Sequence, residues 1–240
     1  MRDYLLDLVE HTFDLGCIDL VKIVGTDSET QIVALAEDQS VVVLGHTHNP
    51  VPDFMGTFGM PNLSKLKTLL NLQEYRDNAK LTMARRADTT PEGINFENQA
   101  GDFKNNYRFM ASAVVSEKLK TPKFAGANWH ITFEPTNAAI QRLKWQMSAN
   151  VEEPNFTART EGGDLKFSFG DHSSHSGNFV FHPGVNGQLR RAWAWPAKQF
   201  ASIMDLTGDK TVKISDDGAA QITVDSGLSV YNYILPAQSK

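Results

Sequence analysis

The chain repeats itself, and this limits its possible folds more than any single motif does: two stretches of roughly 110 residues carry one order of elements. Four segments have helical periodicity. Asp3 to Asp14 places Leu5, Leu6, Val9 and Phe13 on one stripe. A second segment follows Pro61-Asn62, which resembles a cap and first turn, with Leu63, Leu66, Leu69 and Leu70 as its apolar side. A third follows Pro135-Thr136, with Ala139, Ile140, Leu143 and Met147. The fourth starts at Pro196, carries Phe200, Ile203 and Met204, and stops near Gly208. The second and fourth each follow a proline and an aromatic strand-like run, Phe54 to Phe58 or Trp193 to Trp195.

Further strand-like runs lie between them: Ile32 to Leu35, Val41 to Leu44, Ile94 to Phe96 and Tyr107 to Met110. The second stretch has Trp129 to Phe133, Asp164 to Phe169, Asn178 to Phe181, Arg190 to Trp195, Thr211 to Ile214, Gln221 to Val224 and Val230 to Leu235. The pattern predicts an α+β protein of two similar domains, each with helices on one face of antiparallel sheets. The expected boundaries are 1–112 for the first domain, 113–128 for a connector rich in Lys, Ser, Ala and Pro, and 129–240 for the second. Trp193 and Trp195 alternate, which predicts one shared sheet face in the core or an interface.

Composition narrows the function. Hydrophobic residues make up 41%, enough for a buried core. No apolar run approaches the ~18 residues of a membrane span. Met1 to Asp7 is interrupted by acids, so no secretory signal is expected there. A single cysteine, Cys17, excludes an intrachain disulfide and a thiolate metal cluster, and a cytoplasmic setting is expected. The net charge of −5 argues against a surface that is basic all over, but not against a basic patch on an acidic body.

Such a patch is visible on the helices. Lys65-Leu66-Lys67 and Arg142-Leu143-Lys144 each set a leucine between two bases. At 100° per residue the leucine turns inward and the bases flank the polar side. Ser64, Thr68, Gln141 and Ser148 fill the space between, and neither face has an acid in its first two turns. A surface of this kind can approach phosphates without reading bases. Lys198 adds a base on the fourth helix. The first helix breaks the pattern, because Arg2 is outnumbered by Asp3, Asp7, Glu10 and Asp14.

Enzyme signatures are sparse. No Walker loop, Rossmann fingerprint or nucleophile elbow occurs. The most metal-like residues are His172, His175 and His182, in a Ser/Gly-rich segment that reads as a loop between strands. They keep a metal-dependent enzyme open as an alternative, beside a β-rich viral structural or interaction protein. The leading expectation is a scaffold without catalysis, cofactor or metal.

The order of elements, the two-part plan, the run from Phe58 to Leu66 (Phe-Gly-Met-Pro-Asn-Leu-Ser-Lys-Leu) and the ending Tyr231-Asn232-Tyr233-Ile234-Leu235-Pro236 resemble DNA sliding clamps. The likeness is to bacteriophage polymerase clamps of the T-even type and, more distantly, to the eukaryotic replicative clamp. One departure is at the start, where the family usually has a short strand before its first helix. The resemblance implies a closed homotrimeric ring around duplex DNA, held without sequence preference. It implies a processivity factor in DNA replication, with the polymerase, a clamp loader and viral transcription factors as partners, in an infected bacterial host. It further implies that Lys65, Lys67, Arg142, Lys144 and Lys198 face DNA. Phe124 by the connector, with Ile234, Leu235 and Pro236, would line a groove for partner peptides.

Overall fold

The protein is described by a computed structural model covering residues 1–120, 126–171 and 175–238. Its chain divides into two compact units, residues 1–122 with 226–231, and residues 123–225 with 232–240. Apart from short elements at the end of the first unit and the start of the second, one order of helices and strands recurs in both.

The first unit runs α1 (Arg2–His11), β1 (Leu20–Gly25), β2 (Thr30–Leu35), β3 (Val42–Thr47), β4 (Gly56–Pro61), α2 (Leu63–Asn71), β5 (Lys80–Arg85), β6 (Pro91–Glu97) and β7 (Lys104–Arg108). It closes with β8 (Met110–Ala111) and α3 (Ser112–Lys118). In the second unit β9 (Ile131–Phe133) precedes the matching series. That series is α4 (Asn137–Ala149), β10 (Asn155–Glu161), β11 (Asp164–Phe169), β12 (Gly177–His182), β13 (Ala194–Pro196), α5 (Ala197–Met204), β14 (Asp209–Ser215), β15 (Ala219–Asp225) and β16 (Ser229–Pro236), whose residues up to Tyr231 belong to the first unit. Helix, four strands, helix and three strands therefore occur twice.

Strand pairing repeats as well. β1 pairs antiparallel with β2 and β4, and β10 with β11 and β13. β3 adds to β2 and β12 to β11. The second helix of each unit leads into another antiparallel set, β5-β6-β7 or β14-β15-β16. β1 and β11 alternate strictly between buried and half-buried positions, which fixes their register because a one-residue slip would turn each core side chain outward.

The helices cover the buried faces. Leu5, Leu8 and Val9 of α1 and Leu63, Leu66, Leu69 and Leu70 of α2 are buried. In the second unit the core is aromatic. Phe156, Phe167 and Phe181 come from three neighbouring strands, and successive rings stack with centroids 4.3 Å apart. Phe200 of α5 meets Phe156 and Phe167 edge-on at 5.0 and 5.7 Å, the quadrupole-favoured T arrangement. α4 seats its last turn closely on β12, where a side chain at Gly177 would meet Gln146 and Asn150.

Three expectations need correction. The segment 113–128, expected as a connector, opens with most of α3, whose Val115 is fully buried. A Cβ at Gly59 on β4 would stand 2.7 Å from Val115, so the glycine is what lets α3 settle there. Asn62 does not cap α2. It takes a left-handed backbone (φ 54°), which Asn tolerates, and its side chain makes no cap hydrogen bond. The Asp19 carboxylate accepts from the Leu63 N–H instead, at 2.8 Å. Finally, the strand expected over Arg190 to Trp195 is only β13. Trp195 is buried there, whereas Trp193 lies before it and donates its indole N–H to the Asp216 carbonyl at 2.7 Å.

Candidate nucleic-acid interface

The two helices of each unit pack against one another, α1 with α2 and α4 with α5, and polar contacts fix each pair. In the first unit Arg2 donates to the Leu70 carbonyl near the end of α2, a favourable place for a cation at a helix C-terminus. The start of α2 is held by Asp19 and by the buried Tyr107, whose hydroxyl donates to the Pro61 carbonyl. Burial, and then the nearby Asp19 charge, pushes that hydroxyl's pKa up, so it stays a donor. Thr136 caps α4 by accepting from the Ala139 N–H at 3.1 Å, as the Pro-Thr signal predicts.

These contacts set the exposed faces. Leu66 and Leu143 are fully buried, as the spacing requires, and the bases beside them turn outward. The five candidates separate into two groups. Lys65, Arg142 and Lys198 are exposed and make no ion pair among the described residues. The Arg142 guanidinium lies 5.4 Å over the Phe179 ring. Lys67 and Lys144 are half-buried and each holds a carboxylate: Lys67 Nζ is 2.6 Å from Asp14, and Lys144 Nζ is 2.5 Å from Asp205. Partly exposed pairs of this kind are worth about 0–1 kcal/mol, so an arriving phosphate can compete for either lysine.

α2 and α4 have no acid in their first turns. Around α1 the acidic excess is smaller at the surface than in sequence, since Asp7 is buried and Asp14, just past the helix, is engaged by Lys67. Sequence reasoning passed over Trp145, which is 63% exposed on α4. The helical wheel places it opposite Ile140, Leu143 and Met147, and that position was the available signal.

The other candidates are dispersed. Phe124 lies outside the described residues. Ile234 and Leu235 are closed off within β16, at 6% and 0% exposure, because they continue its buried face; of the trio only Pro236 presents surface. A cleft of about 980 Å³ opens in the first unit beside Phe13, Cys17, Glu37, Pro61 and Leu119, and none of that trio lines it. His172 is outside the described residues, His175 is exposed, and the His182 ring packs on Phe133 with centroids 4.9 Å apart. No group of three or more His, Cys, Asp or Glu suited to a metal occurs among the described residues. No helix there is long and apolar enough to cross a membrane.

Neither a family model nor a curated protein matches the sequence. Solved structures do match its fold. PCNA from Thermococcus kodakaraensis is similar with a TM-score of 0.63 at 10% identity, over 99% of this chain and 95% of that one. A. fulgidus PCNA, solved with the C-terminal region of FEN-1 bound, is similar with a TM-score of 0.68 at 10% identity, over 100% of this chain and 97% of that one. From first helix to last strand, the chain has the α+β fold of the PCNA sliding clamps.

Proposed function

We propose that the protein is a sliding clamp, a non-catalytic ring that encircles duplex DNA and tethers a replicative polymerase. The observation that carries the reading is the fold, matched over nearly the whole length of both chains. The helix surfaces support it. Lys65, Arg142 and Lys198 offer sequence-blind attraction to phosphates, with Lys67 and Lys144 available once released from Asp14 and Asp205. Such attraction is screened and falls steeply with salt, which suits a duplex that must slide. Retention then comes from topology rather than affinity.

Ring closure needs edges to join. Among the described residues β12 has a neighbour on one side only, and β5 and β7 bound their three-stranded sheet. Pairing β12 of one copy with such an edge of the next gives a head-to-tail contact that closes on itself, and it protects edges that would otherwise aggregate. Three copies, the clamp loader, the polymerase and the T-even bacteriophage setting with its transcription factors belong to the same reading, on the likeness of the Phe58–Leu66 run and the C-terminal ending. Partner docking is supported by the FEN-1 C-terminal region bound to the similar PCNA, and Pro236 is the exposed residue here suited to it.

Primer extension by a T-even polymerase and its loader, on a long single-stranded template, tests this. The expected result is longer products per binding event in the presence of the protein. Unchanged product length, with the loader active on its own clamp, contradicts it.

A further inference from the structure

We infer that α4 carries a stacking site for an unpaired DNA base, with the Trp145 indole as its platform. The inference rests on reading this helix face as the DNA side. It adds a ligand class, single-stranded or unstacked DNA, to a surface otherwise suited only to phosphates.

The helix is built around the exposed ring. At 100° per residue Trp145 falls at the centre of the solvent face, directly opposite the buried stripe of Ala139, Ile140 and Leu143. Its neighbours one turn away are Gln141, Arg142, Ser148 and Ala149, of which all but Arg142 are short or neutral and leave the ring approachable. The longer bases on either side are drawn off it. Arg142 lies over Phe179 of β12, and Lys144 reaches Asp205 at the end of α5. Ser148 turns its hydroxyl back to the Lys144 carbonyl at 3.0 Å. The indole is thus left uncovered between two cations, on a helix whose thirteen residues include no acid.

Other roles fit less well. A core role is ruled out by the 63% exposure. At the equivalent centre of α2 stand Ser64 and Thr68, so an aromatic is not a general requirement of this fold's outer helix faces. An indole flanked by cations matches a nucleotide, whose base stacks on the ring while its phosphate meets a base on either side. In continuous duplex the bases are stacked on one another and closed to the ring. An unpaired stretch, as at a primer end or gap, offers them freely. Loss of one such stack is expected to weaken binding by about tenfold, the lower part of the range for base–aromatic stacking.

The test uses the full-length protein at low salt. Intrinsic tryptophan emission is followed on titration with a thymidine oligomer and with a blunt duplex, and binding of both is measured by anisotropy. The expected result is quenching by the single strand that is lost in Trp145→Phe. Trp145→Ala should bind the single strand about tenfold more weakly, Trp145→Phe should keep part of the affinity, and duplex binding should change less than twofold. Unaltered single-strand binding by Trp145→Ala overturns the site, as does an equal loss on duplex. A blue shift that depends on protein concentration without DNA also overturns it, assigning Trp145 to a contact between copies. Primer extension with the same preparations separates this from the clamp reading. Stimulation by wild type without single-strand quenching removes the site and keeps the clamp. Quenching that needs Trp145 without any stimulation keeps the site and removes the clamp.

Discussion

Asp7 sits in the first unit's core, 8% exposed, where an unpaired carboxylate would be costly. Tyr231 donates its hydroxyl to Asp7 Oδ2 at 2.7 Å, and His11 Nδ1 lies 3.2 Å from Oδ1. The His11 ring stacks on Tyr231, centroids 4.6 Å apart. Burial pushes the Asp7 pKa up, but hydrogen bonds from His11, Ser226, Tyr231 and Ser229 outweigh it and hold the group below its ordinary value. A depressed folded pKa stabilises the protein above the unfolded value of 3.8, and that contribution is lost as pH falls through the folded pKa. Tyr231→Phe removes one charged hydrogen bond and is expected to cost about 1.5–3 kcal/mol at pH 7. Urea unfolding at pH 7 and pH 3 checks this: the gap between wild type and variant should shrink in acid. Phe200 makes a second prediction at this scale, because its ring closes the aromatic ladder over β10 and β11. Phe200→Ala is expected to cost about 3–5 kcal/mol in the same assay.

At the scale of elements, the exposed bases are not equivalent. Lys65→Gln and Arg142→Gln should each weaken low-salt duplex binding and lower the slope of log affinity against log salt by about 0.9 per lost phosphate contact. Lys67→Gln and Lys144→Gln should do less, since each lysine starts bound to a carboxylate. Anisotropy over a salt series measures both, and equal slopes in all four variants would contradict it. The same contrast shows what could be read from sequence. Leucine spacing and proline signals located α1, α2, α4 and α5, because a wide apolar stripe has no other use in a small domain. The ion pairs were not legible: Asp14 and Lys67 are far apart in sequence and meet only through α1–α2 packing. β5 was passed over because its exposed and half-buried residues give no apolar alternation. α3 is short and anchored by one buried valine against a glycine, too little periodicity to stand out. Trp145 carries no signal in composition, because tryptophan is highly buried on average and only its place on the helix marks it as exposed.

For the molecule as a whole, the repeat explains how the proposed clamp would be built from so little specific chemistry. Helix, four strands, helix and three strands give each unit one helical face and one set of strand edges, and duplication supplies edges of both kinds in one chain. Three copies joined head to tail would put like faces toward a common axis. Mass in solution tests this most directly. Multi-angle light scattering across a concentration series is expected to approach three times the 26.6 kDa of one chain. A mass that stays at 26.6 kDa at the highest concentrations reached would contradict the ring and the account built on it.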